Sequence, residues 1–98
     1  MHKVSLTEKL GLITEHWRPK VVGELNGQEV KLAKFKGAFV WHHHDREDEL
    51  FLLIVPHGVE HRTVAEEEAA VLVFEPAATR NTGNVEHAEL TAPMGVRV

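Results

Sequence analysis

The chain has 98 residues, 43% hydrophobic and 27% charged, the balance of one globular domain with a core of modest size. A formal net charge of -4 argues against a nucleic-acid partner, which would want a basic face. With no cysteine there is no disulfide scaffold and no thiolate site, so any metal must rest on histidine and carboxylate.

The opening "MHKVSLTEKLGLITEHW" holds no apolar run of signal-peptide length, and no later stretch is long enough to span a bilayer. The expectation is a cytoplasmic protein without a membrane partner. Ser5 to Glu8 ("SLTE") has the spacing of a capping box, and Leu6, Leu10 and Ile13 follow at helical steps. This predicts a short helix to about His16, stopped by Pro19. The following text reads as strands, with Asn26-Gly27 the strongest hairpin signal. Beyond that turn Val30, Leu32 and Phe35 are apolar while Lys31, Lys34 and Lys36 are polar, the pattern of a sheet wet on one face. "AFVWHHH" resumes the strand after Gly37, "ELFLLIV" and "AAVLVFE" read as buried strands, and "PHGVEH" as a turn. From Pro76 on, the chain is turn-rich. The balance is all-β with one N-terminal helix, in a sandwich or barrel.

The chemistry concentrates in Val40 to His61, "VWHHHDREDELFLLIVPHGVEH", which holds five of the eight histidines and five acids. Alternation along a strand puts His42 and His44 on one face and His43 on the other. Two imidazoles at i and i+2 can chelate one ion from a rigid support. Glu49 has the wrong parity for that face on a straight strand, but a turn at Asp45 to Asp48 would return it beside the histidines. A third imidazole from "PHGVEH" would complete a set of three nitrogens and one oxygen. Such a set leaves coordination positions open and suits zinc, manganese, iron, nickel or copper alike. The plainer reading of the same text is a solvated, His-rich turn.

Gly37, then His42-x-His44-x4-Glu49, then Pro56-x-Gly58-x2-His61, resembles the paired motifs of the cupins. The closer likeness is to small single-domain bacterial cupins, carried by Trp41 to Phe51 and Val55 to Arg62. It extends upstream from Glu15 and downstream through "VLVFEPAATRNTGN". Ala65 stands where the second motif often closes on Asn. The resemblance implies a cupin-type antiparallel β-sandwich or barrel (jelly roll) over about residues 18–76. A helix at about 5–16 would precede it and a turn-rich arm at 77–98 would follow, all in one domain. It also implies one divalent transition metal per chain on His42, His44, Glu49 and His61, a small-molecule ligand in an apolar cavity, and a homodimer.

One feature departs from the family: cupins place a pair of strands between the two motifs, and here only "LFLLIV" stands there. If a two-residue turn at His57-Gly58 folded "ELFLLIV" directly onto "VEHRTVA", His61 would face Ile54, roughly 17 Å from Glu49 at about 3.3 Å per residue. A metal bond spans about 2 Å. A plain hairpin therefore cannot assemble the set, and the junction of a lost segment is expected near Leu53-Ile54.

The remaining residues read as structural. His43 faces away from the pair, His57 fills the turn, and His2, His16 and His87 are surface residues. Trp17 and Trp41 read as packing residues, Glu66 to Glu68 as an exposed turn, and Glu47 and Asp48 as turn acids. Two function classes follow. One is a non-catalytic module that binds metal or a small ligand; the other is a metal-dependent isomerase, epimerase or dioxygenase on a small organic substrate. The second lacks an obvious general base, since the chain has no tyrosine.

Overall fold

The computed structural model describes residues 3–51 and 54–98. Ser5 caps a helix α1, Leu6–Gly11, its side chain accepting the Glu8 amide at 3.3 Å. The helix is shorter than the apolar spacing predicts. None of its residues is buried, so it gains little from tertiary packing and ends at Gly11, while Ile13 enters the core as irregular chain.

Among the described residues five strands form one antiparallel sheet: β1 Lys20–Leu25, β2 Gln28–Ala38, β3 Glu49–Leu50, β4 Ile54–Val55 and β5 Val64–Pro76, in the order β1-β2-β5-β3-β4. The hairpin at Asn26-Gly27 forms as expected, with φ of 50° and 79° at the two turn residues, the left-handed pair that Asn-Gly favours. The β2–β5 ladder is the backbone of the molecule, running from Gln28 opposite Pro76 to Ala38 opposite Val64 with one irregularity between Phe35 and Gly37.

Two strand readings need correction. "ELFLLIV" is not one strand. Glu49 pairs with Val55 and Leu50 with Ile54, so the apolar run doubles back on itself as a stub of hairpin. The expected junction at Leu53-Ile54 lies partly outside the described residues. The wet face assigned to Lys31 is also wrong: Lys31 is 4% exposed, beside Leu32 at 2% and Ala33 at 0%, so β2 is covered on both faces there. Glu66 to Glu68 are exposed, but they lie within β5 and not in a turn.

The interior mixes apolar residues (Ile13, Trp17, Val21, Leu32, Phe39, Val55, Val73) with buried polar ones (Glu29, Lys31, His42, His44, Glu49, Glu75, Thr79, Thr82). The C-terminal arm is ordered through side-chain bonds. Asn81 donates to the carbonyls of Trp17 and Leu90 and accepts from the Ala92 amide, and the Thr82 and Thr91 hydroxyls meet at 2.7 Å. No described helix is long and apolar enough to cross a membrane.

Candidate metal centre

His42 and His61 are brought together by the backbone. They face each other as an antiparallel bridge, His42 N donating to His61 O at 2.9 Å and His61 N to His42 O at 2.7 Å. Their ring centroids lie 4.2 Å apart, and that of His44 is 5.1 Å and 5.5 Å from them. The bend at Asp45 and Arg46 reverses the chain and β3 returns Glu49, whose Oε1 is 3.0 Å from His44 Nε2 and 2.9 Å from His61 Nε2. One donor atom from each of His42, His44, Glu49 and His61 falls within 4.8 Å of all the others. The stub hairpin makes this possible. Because β4 turns back beside β3, the segment after Gly58 runs past His42 and never lies along β3.

The chemistry of these donors fits a cation. A carbonyl oxygen only accepts, so the bonds from His42 Nδ1 to Val40 O at 2.9 Å and from His61 Nδ1 to Val59 O at 2.8 Å place a hydrogen on Nδ1, and in the neutral ring Nε2 is then the lone pair a metal takes. His44 Nε2 and Glu49 Oε1 are both buried and close, yet make no hydrogen bond of acceptable geometry. Atoms aimed at a common point between them, and not at each other, leave that signature. Burial, with the neighbouring His61 and His44, pushes the His42 imidazole below its ordinary value, which keeps it in the neutral form a metal takes. Burial works against a charged Glu49, but the close His44 imidazole, with the Glu75 carboxyl and the His61 imidazole beside it, holds its carboxyl down at about 2.

Tethers around the cluster hold the loops in register. Gly58 N donates to His44 O at 2.7 Å, and Asp48 accepts from the His57 backbone and ring at 2.7 Å and 3.1 Å. His57 thus joins two turns. His43 points outward between Glu60 and Asp45, 3.0 Å from each, and the bond to Glu60 leads the effects that raise its imidazole. Asn84 clasps the His43 backbone, its amide donating to His43 O and its side chain accepting from His43 N. At Gly83 a Cβ would overlap the His43 carbonyl and stand 2.9 Å from His42 Cδ2, so only glycine lets the arm approach this closely.

Beside the cluster opens a cleft of about 420 Å³, its mouth included. Its apolar wall is a stack in which Trp17 lies 4.5 Å from Phe35 and 4.7 Å from Phe39, closed by Phe51 and Val73. His42, Glu49 and His61 face the same cleft.

Solved structures share this architecture. A cupin-2 domain containing protein from Shewanella frigidimarina superposes with a TM-score of 0.69 at 29% identity, over 74% of this chain and 93% of the other. A protein from Neisseria meningitidis superposes with a TM-score of 0.63 at 21% identity, over 78% of this chain and all of the other, a likeness of fold. This chain is a small cupin-type protein. Comparison with family models and with curated proteins gives no match.

The cupin-type cavity also contains charged groups that the sequence reading missed. Glu75 lines the cleft beside Glu49, 4% exposed, and Lys31 Nζ donates to its Oε1 at 2.8 Å and to Thr79 O at 3.3 Å. Glu29 completes the group, its Oε1 3.7 Å from Lys31 Nζ. Burial and the neighbouring Glu49 carboxyl push the Glu75 carboxyl up to about 8, against the pull of Lys31. The available signal was parity in β5, where Glu75 has the phase of Val71 and Val73.

Of the two tryptophans, Trp17 is core, with φ of 63° and its indole N–H bonded to Lys36 O at 2.9 Å. Trp41 is 55% exposed and covered by the Arg62 guanidinium at 5.0 Å.

Proposed function

We propose that this cupin binds one divalent transition metal through His42, His44, Glu49 and His61 and presents it to a small organic ligand in the adjoining cleft. The observation that carries this reading is four donor atoms within 4.8 Å, two of them buried and close without bonding one another. Three imidazoles and a carboxylate suit zinc, manganese, iron, nickel or copper and leave positions open beyond the protein's own donors. The stack of Trp17, Phe35 and Phe39 would take the flat or apolar body of the ligand and exclude water from its face.

A native mass spectrum of untagged protein tests the reading. About one metal per chain, lost in His44→Ala, supports it; a chain that stays metal-free after loading with each of the five metals overturns it. The same spectrum reports subunit number. A homodimer is proposed from the family resemblance and from Leu50, Leu72 and Val64, each more than 40% exposed. A cytoplasmic location is proposed with it.

The enzyme reading stands second, favoured by Glu75, which gives the cleft a carboxyl able to hold a proton beside the ligand. A bound metal would supply Lewis acidity toward a ligand oxygen. Turnover that disappears in Glu49→Gln while ligand binding persists would favour it over the binding module.

A further inference from the structure

Three glutamates stand in a row across the inner face of the sheet. Glu29 pairs with Glu75 in the β2–β5 register, and Leu50 pairs with Phe74, so one further residue along β3 and β5 sets Glu49 next to Glu75. Residues so placed carry Cβ atoms about 4.5–5.5 Å apart, where like charges repel. All three are buried, at 6%, 4% and 7% exposure, and one ammonium, Lys31, serves the row. An arrangement this costly needs a reason beyond packing.

The reason lies in how weakly the backbone holds Glu49. β3 is two residues long and, among the described residues, pairs with β5 only through Leu50 opposite Phe74. A carboxylate on such a strand is not fixed by its own ladder. Glu75 sits in the long β5 strand, and its Oε1 is pinned by Lys31, which is itself anchored to Thr79 O. Glu75 lines the same cleft as Glu49, one strand away.

We propose that Glu75, pinned by Lys31, is a positioning residue that sets the Glu49 carboxylate in place for the metal. This rests on the metal-binding reading above. The long strand thereby passes its rigidity to a donor that the short one cannot hold.

Titration of the intact chain with Co²⁺, followed by the visible d–d bands and by competition with a chelator, tests the proposal. Glu75→Met is expected to weaken Co²⁺ by about 10–100-fold, the range for residues that orient metal donors, and to alter the band shape. Glu75→Gln keeps the length and a polar head beside Glu49 and is expected to keep the bands and most of the affinity. A Glu75→Met chain with unchanged affinity and bands overturns the proposal, and so does a Glu75→Gln chain as impaired as Glu75→Met. Should Glu75→Met fail to fold, Glu75→Asp replaces it. Drawing the carboxyl back by one methylene is expected to produce the same loss, and an unchanged spectrum there overturns the proposal equally. Absence of Co²⁺ uptake by the unaltered chain would instead fail the metal reading itself, a result separable from the others because no variant is needed to see it.

Discussion

The two hairpins of this sheet are built on opposite plans. The β1–β2 arm has an Asn-Gly turn and continues into a ladder reaching from Gln28 opposite Pro76 to Ala38 opposite Val64. Among the described residues the β3–β4 arm has two on each side and pairs with β5 at one position. The long arm supplies the cleft's Phe35 and the Lys31 ammonium; the short one supplies Glu49, the only carboxylate of the candidate centre. Position is set by backbone hydrogen bonds in the first arm and by side chains in the second. A metal donor can therefore sit on very little secondary structure if a neighbouring long strand reaches it.

The hardest way to break this division is from the long side. Lys31→Met leaves Glu29 and Glu75 buried without their cation, and removing one partner of a buried ionic group costs about 3–5 kcal/mol. Urea denaturation should show that loss in the metal-free protein, and a midpoint within error of the unaltered chain would refute it. His61→Ala attacks the short side. It should lower Zn²⁺ affinity by more than the ~10–100-fold typical of a supporting residue, with a smaller effect on metal-free stability because the His61 side chain is 16% exposed. Calorimetric titration decides, and an unchanged dissociation constant would remove His61 from the centre.

Proton linkage gives a finer test. Glu75 titrates at about 8 in the folded chain against 4.5 for the ordinary group, so the folded state holds the extra proton between those values. Stability from this group is complete below about pH 4.5 and declines as pH rises toward 8. His42, lowered by burial, contributes with the opposite sign near its ordinary value of 6.5. The melting temperature of metal-free protein minus that of Glu75→Gln should therefore fall from pH 5 to pH 8; a flat difference would count against the shift. The smallest effect is local: amide exchange at Val55 should slow when Zn²⁺ binds, while the amides of Leu32 and Val71 on the long ladder change little. Equal slowing in both arms would mean that the two are one cooperative unit.

Much of the site could be read from residue spacing. His42 and His44 share a face by parity, the acidic turn returns Glu49, and the second motif names His61; the structure gathers all four. The route was not legible. Six apolar residues from Leu50 to Val55 carry no Gly, Pro, Asn or Asp to mark a reversal, so a doubled-back stub and a single strand have the same text. The buried charges were hidden for another reason. Where both faces of β2 are covered, alternation no longer separates inside from outside, and Val30 and Leu32 outvoted Lys31. The helix ended early because Leu6 and Leu12 found no surface to cover and remain 46% and 60% exposed.

The contact at Gly83 carries a lesson for anyone who would tune this cleft by directed evolution. A library randomised at the four donors would mostly destroy the centre. A single methyl at position 83, far along the chain and absent from every donor list, would push against the peptide that carries His42 and His43. Diversity placed in the arm from Arg80 to Asn84 would act on the backbone at His43, next to His42, and leave all four donors in the gene.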